Sequence, residues 1–223
     1  MKKFFYFIVA IVMASCSVSK KAPIVALKPV QVKLTTDSGT IILMLYDKTP
    51  MHRDNFVKLI KEKFYDGLLF HRVVNNFMIQ GGDPDSKNAK PGIHLGDGSL
   101  KYTIPAEFDT SLFHKRGALA AAREADESNP KKASSSTQFY IVDGQTFTDN
   151  QLNRIEEKNK IHIPQNHREF YKTSGGDHFL DMNYTVFGEV ISGIEVVEKI
   201  ANAPKDDNIR PLHDIKMGMT IIK

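Results

Sequence analysis

The chain has 223 residues, 41% of them hydrophobic and 25% charged, a composition that suits a globular domain and argues against a disordered chain or a multi-span membrane protein. A formal charge of +4 is too small and too evenly spread to mark a nucleic-acid binder, so no nucleic-acid partner is expected. The single cysteine excludes an intramolecular disulfide and a cysteine-rich zinc site.

The N-terminus reads differently from the rest. Met1-Lys2-Lys3 is a positive segment, and residues 4–13 form an unbroken apolar run, too short to span a bilayer, which takes about 20 residues. The run therefore reads as a signal-peptide core. Met13-Ala14-Ser15-Cys16 resembles a bacterial lipobox, and the only cysteine of the chain falls where lipidation requires it. That resemblance implies that residues 1–16 are a lipoprotein signal peptide and lipobox, with Cys16 lipidated and left as the mature N-terminus. The protein would then sit in the bacterial cell envelope, held to a membrane through its lipid anchor and facing the periplasm or the cell exterior. A plain secretory signal with a coincidental cysteine is the alternative. Residues 17–29, with three lysines and two prolines and no periodicity, read as an extended tether ahead of a domain over residues 30–223.

Val30 to Thr35 alternates apolar and polar residues, Asp37-Ser38-Gly39 supplies a turn, and Thr40 to Tyr46 completes a β-hairpin pattern. Thr49 as N-cap and Pro50 at the first helical position open a helix over 50–63, whose Phe56, Leu59, Ile60 and Phe64 recur at helical spacing. Short strands follow at 69–74 and 77–80. In strand alternation Arg72 shares a face with Val74, and Phe77 shares one with Ile79. Residues 117–122 are alanine-rich and leave strand and helix both open. Residues 138–142 and 185–191 read as strands, 194–200 as a short amphipathic helix, and 214–222 as a closing strand.

Between them, 145–176 is polar and charged. Thr148-Asp149 caps one helical piece and Pro164 opens another, so this stretch is an inserted helical hairpin, an add-on to the domain. Many short strands with only two core helices make the fold class mainly β, a closed barrel rather than a βαβ sheet.

No G-x-S-x-G, G-x-x-x-x-G-K-[ST] or H-E-x-x-H is present, and the eight histidines form no i,i+4 pair, so neither a metal site nor a cofactor is expected. The informative stretch is Phe70-His71-Arg72-Val73-Val74-Asn75-Asn76-Phe77-Met78-Ile79-Gln80-Gly81-Gly82-Asp83, where an arginine stands inside an apolar run. It resembles the core signature of the cyclophilins, the peptidyl-prolyl cis–trans isomerases. The similarity extends to Gly117-Ala-Leu-Ala-Ala-Ala122, to Ser136-Thr-Gln-Phe-Tyr-Ile141 and to Leu180-Asp181 with Val186-Phe-Gly188.

The resemblance implies a closed, antiparallel, eight-stranded barrel capped by two helices. It implies an enzyme that accelerates X-Pro isomerisation while exported or envelope proteins fold, acting as a monomer on proline-containing unfolded or peptide substrates. By the same resemblance Arg72 is the catalytic donor. Phe77, Met78, Gln80, Ala122, Arg123, Gln138, Tyr140, Phe179, Leu180 and Tyr184 bind substrate. Phe179 stands where eukaryotic cytosolic members often carry Trp, which implies weak inhibition by cyclosporin, and Arg123, Tyr140 and Tyr184 depart from the Asn, Phe and His of the best-known family pattern. The alternative is a proline-recognising chaperone or scaffold that uses the same groove without turnover.

Overall fold

The computed structural model describes residues 29–222 together with Met1, so Cys16 and the expectations for the signal segment and most of the tether lie outside the described residues. β1 (Gln31–Thr36) and β2 (Gly39–Leu45) form the expected hairpin, with Thr36 opposite Gly39 across the turn. α1 (Pro50–Lys61) begins with its proline in the first turn, where the missing N–H costs nothing. Thr49 holds the N-cap position, yet its hydroxyl makes no capping bond and is buried without a partner among the described residues. The Glu107 carboxylate does that work instead, accepting from the backbone N–H of Met51 at 3.1 Å and of His52 at 2.9 Å. A charge brought in from a distant loop also complements the positive end of the helix dipole.

β3 (Phe70–Val74), β4 (Met78–Gly81), β6 (Ala118–Ala121), β8 (Phe139–Val142), β9 (Val186–Ser192) and β10 (Met217–Ile222) join the hairpin. The eight strands make one antiparallel sheet in the order β10-β1-β2-β9-β6-β8-β4-β3. β5 (Thr103–Ile104) and β7 (Ser134–Ser135) form a separate two-stranded ribbon. α4 (Ile194–Ala201) and α1 pack against the large sheet. The ambiguous alanine run is thus a strand, β6, placed between β8 and β9.

The sheet curls but does not close, which corrects the expectation of a closed barrel. Among the described residues its two ends meet through the bridge Leu69–Lys216 and the backbone bonds beside it, Gly67 N–H to Met217 O, Met217 N–H to Leu68 O and Phe70 N–H to Ile215 O. The reason lies just before β10. Residues 203–214 contain Pro204 and Pro211 and a non-glycine residue at positive φ, Ile209 at 58°, so this stretch cannot run as a strand along β3. It turns across the edge instead, and Val73 N–H donates to Ile209 O.

Alternation along the strands gives the sheet two apolar faces. Leu119, Ala121, Phe139, Ile141, Ile79 and Phe187 point inward to the main core with α1 and α4. Ala118, Ala120, Tyr140, Val142, Met78 and Val186 point outward and form a second, smaller cluster. Small alanines on both faces of β6 let larger neighbours close over it.

The inserted helices are α2 (Asp149–Asn159) and α3 (Gln165–Thr173). Thr148 and Gln151 form a reciprocal capping box at the start of α2, and Pro164 precedes α3. Leu152, Ile163 and Tyr171 of this segment pack with Phe147 and with Phe113, which comes from the loop before β6. The insertion therefore packs onto the domain through a small cluster separate from the two faces of the sheet.

Candidate active site

The site lies on the outer face of the sheet. Register pairs Arg72 of β3 with Gln80 of β4, Gln80 with Tyr140 of β8, Tyr140 with Ala120 of β6, and Ala120 with Val186 of β9. One row across five strands thus carries a cation, an amide and an aromatic ring toward the same side. Phe77 does not share a face with Ile79 as strand alternation predicts. β4 starts only at Met78, so Phe77 sits in the turn and joins the outer cluster, while Ile79 enters the main core.

The orientation of Arg72 follows from a chain of amides. The carbonyls of Gly96 and Gly98 can only accept, and they take the Gln138 Nε2 protons at 2.7 and 2.8 Å. Gln138 Oε1 is then left to accept from Gln80 Nε2 at 3.0 Å, and Gln80 Oε1 accepts from Arg72 Nη1 at 3.2 Å. The guanidinium also lies 5.7 Å from the centre of the Phe77 ring. No carboxylate pairs with Arg72 among the described residues; Nη1 also meets Met78 Sδ at 3.9 Å, and the Nε and Nη2 donors are uncommitted there. Burial pulls its pKa below the ordinary arginine value, with Tyr184 pulling the other way.

Beside this cation is a cavity of about 140 Å³, lined by Arg72, Phe77, Met78, Gln80, Ala122, Arg123, Tyr140, Leu180 and Tyr184. Small-molecule pockets usually run ~300–1,000 Å³, so this one admits a single compact ring. Its walls are apolar except on the side of Arg72, Gln80 and Arg123. Tyr140 and Tyr184 meet edge to face at 5.9 Å, and burial raises the Tyr140 pKa well above the usual phenol value, so the hydroxyl stays neutral. Arg123 is anchored rather than free. It lies 4.6 Å from the Tyr184 ring centre, donates to Asn183 O at 2.7 Å and pairs with Asp126 at 2.6 Å. It holds the Tyr184 wall in place.

Two of the residues assigned by resemblance fall outside this cavity. Gln138 acts from behind Gln80 and lines an adjoining polar cleft of about 440 Å³ that shares Gln80, Ala122 and Arg123 with the cavity. Phe179 is 57% exposed and its ring lies 3.9 Å from that of His178, beyond the Leu180 wall. Sequence reading missed His114, whose Nε2 meets the Tyr140 hydroxyl at 2.8 Å. The one available signal was its place in His-Lys-Arg-Gly, directly before the alanine strand.

A family model described as cyclophilin type peptidyl-prolyl cis-trans isomerase/CLD matches residues 31–221. A Staphylococcus aureus (strain USA300) protein that carries the name of a peptidyl-prolyl cis-trans isomerase is 33% identical over 187 residues, 83% of this chain and 88% of its own. A Staphylococcus haemolyticus protein of the same name is 32% identical over 187 residues, 83% of this chain and 87% of its own. In fold, the chain is similar to the crystal structure of a Cryptosporidium parvum cyclophilin type peptidyl-prolyl cis-trans isomerase. The TM-score is 0.63 at 22% identity, covering 88% of this chain and 99% of that one. An arginine beside a ring-sized cavity with aromatic and aliphatic walls and a family match over nearly the whole described domain lead to one conclusion: the chain belongs to the cyclophilin-type peptidyl-prolyl cis–trans isomerase family.

Proposed function

We propose that this chain isomerises X-Pro bonds by seating the proline ring in the cavity over Tyr140 and presenting Arg72 to the prolyl nitrogen, and that its clients are exported proteins at the bacterial cell envelope. The reaction breaks no covalent bond. Its barrier of about 18–20 kcal/mol arises because the nitrogen lone pair is delocalised into the carbonyl. As the amide twists, the lone pair localises on nitrogen and becomes an acceptor. A planar cation that is always charged and already oriented meets that acceptor only in the transition state, which is where stabilisation lowers the barrier. Gln80 orients Arg72 and faces both the cavity and the adjoining cleft, where it can hold substrate backbone.

The observation that carries this reading is the uncommitted side of the Arg72 guanidinium at the rim of a small cavity walled by Phe77, Met78, Tyr140, Leu180 and Tyr184. The Cryptosporidium parvum protein has also been crystallised in the presence of the dipeptide Ala-Pro, which supports proline-containing peptides as the substrate class here. The lipobox-like Met13-Ala14-Ser15-Cys16 supports the envelope setting.

A proline-binding module without turnover would need the cavity but not Arg72, so one substitution separates the two. Arg72→Ala should keep the fold and lower kcat/KM on an X-Pro tetrapeptide at least about tenfold, and Arg72→Lys should not restore it fully, since an ammonium lacks the planar fork. An Arg72→Ala protein with wild-type kcat/KM would refute the catalytic assignment. For the envelope setting, Cys16→Ser should abolish acylation and move the protein out of the membrane fraction; an unacylated, cytoplasmic wild type would refute it.

A further inference from the structure

The Tyr140 ring that floors the cavity is tied at its far end to the inserted hairpin. Its hydroxyl lies 2.8 Å from His114 Nε2, and the two rings stack within 14° of parallel. His114 is fully buried, and its Nδ1 lies 2.9 Å from Asp181 Oδ1, which also accepts the His114 backbone N–H at 2.8 Å. The other oxygen, Asp181 Oδ2, accepts from the Tyr171 hydroxyl at 2.5 Å. Tyr171 belongs to α3 and has no exposed surface at all.

For a neutral His114 imidazole the directions of these bonds are mutually fixed. An ionised carboxylate only accepts, so the Tyr171 hydroxyl donates to it and His114 carries a proton on Nδ1. His114 Nε2 then accepts, and the Tyr140 hydroxyl donates to it. Both hydroxyls thus donate in the direction of Asp181, one directly and one through the imidazole. The same aspartate directly follows Leu180, a wall of the cavity. Without the Tyr171 donor, Oδ2 loses its hydrogen bond, and the bonds left on Oδ1 come from a single residue, His114.

We propose that Tyr171 is a positioning residue for proline binding. Through Asp181 and His114, the inserted hairpin sets the orientation of the Tyr140 floor and thereby the affinity for the proline ring. Arg72 and Gln80 are held by the separate amide chain through Gln138 to Gly96 and Gly98, so the chemical step is not routed through the insertion. This rests on the isomerase reading above.

The test is a double-mutant cycle between Tyr171→Phe and Tyr140→Phe, with kcat and KM separated by NMR exchange on an Ala-Ala-Pro-Phe peptide. Tyr171→Phe removes only a hydroxyl. It should raise KM about three- to tenfold with kcat changed less than about twofold, and it should have almost no further effect on KM in the Tyr140→Phe background. Asp181→Asn, isosteric at the centre of the relay, serves as the second arm and should behave the same way if Tyr171→Phe folds poorly. An unchanged KM in a folded Tyr171→Phe protein, or an equal rise in both backgrounds, overturns the proposal. ¹³C-labelled tyrosine reports on the coupling independently of turnover. If the wild type does not turn over, the isomerase reading fails, while the coupling is still judged by whether the Tyr140 ring signals move in Tyr171→Phe. Unmoved signals overturn it.

Discussion

Lowering the pH should destabilise the domain through His71, a residue next to Arg72 that takes no part in the proposed chemistry. It is 3% exposed, and neither ring nitrogen has a hydrogen-bond partner among the described residues. Burial, opposed by Asp83 and aided by Arg72, Arg210 and His94, lowers its pKa from 6.5 to about 4. Between those two values the unfolded chain binds a proton that the folded protein refuses. Stability is therefore complete above the ordinary histidine value and is lost as pH falls toward the lowered one. A full shift of that size corresponds to about 3 kcal/mol, of which roughly 2 kcal/mol is already lost at pH 5. Urea denaturation of wild type and His71→Leu at pH 7 and pH 5 isolates this share, since the other buried histidines with lowered pKa, His52, His167 and His178, remain in both proteins. His71→Leu should lose about 2 kcal/mol less than wild type over that interval. Equal losses in the two proteins would refute the reasoning.

Gly82 has φ of 91°, and a Cβ there would stand 2.3 Å from the Thr137 carbonyl oxygen, so Gly82→Ala should cost at least about 2 kcal/mol in urea or thermal unfolding. Thr148→Ala removes one half of the α2 capping box and should cost about 1 kcal/mol. Because Leu152 is the buried residue of α2, that loss should register as faster amide exchange within α2, with kcat/KM unchanged.

The elements with strict local patterns were legible. The β1–β2 hairpin alternates cleanly, and α1 announces itself by Pro50 and its apolar spacing. The alanine run could not be read locally, because alanine favours helix in isolation and only the flanking strands make use of its small size on both faces. Thr49 misled for a related reason. Its position satisfied the rule for a cap, while the actual cap is a carboxylate more than fifty residues away. The open seam was hidden because a closing strand and a covering loop differ only in how the residues before β10 meet β3. At the site, Arg72 and the apolar lining were carried by the resemblance. The relay from Tyr140 to Tyr171 was not visible, since its four members are scattered in sequence and meet only through tertiary packing. Phe179 shows the converse: a position matched by motif need not line the cavity that the motif serves.

The seam has a consequence for a protein proposed to handle unfolded chains. Extended polypeptide pairs readily with any sheet edge that leaves N–H and C=O groups free. Here the outer strands withhold theirs: Val73 N–H goes to Ile209 O, the Lys205 ammonium sits on Val73 O, and Met217 N–H goes to Leu68 O. A client segment arriving at the domain therefore finds few backbone groups to zip onto along the seam. It is met instead by side chains, which grip one ring at a time and let go.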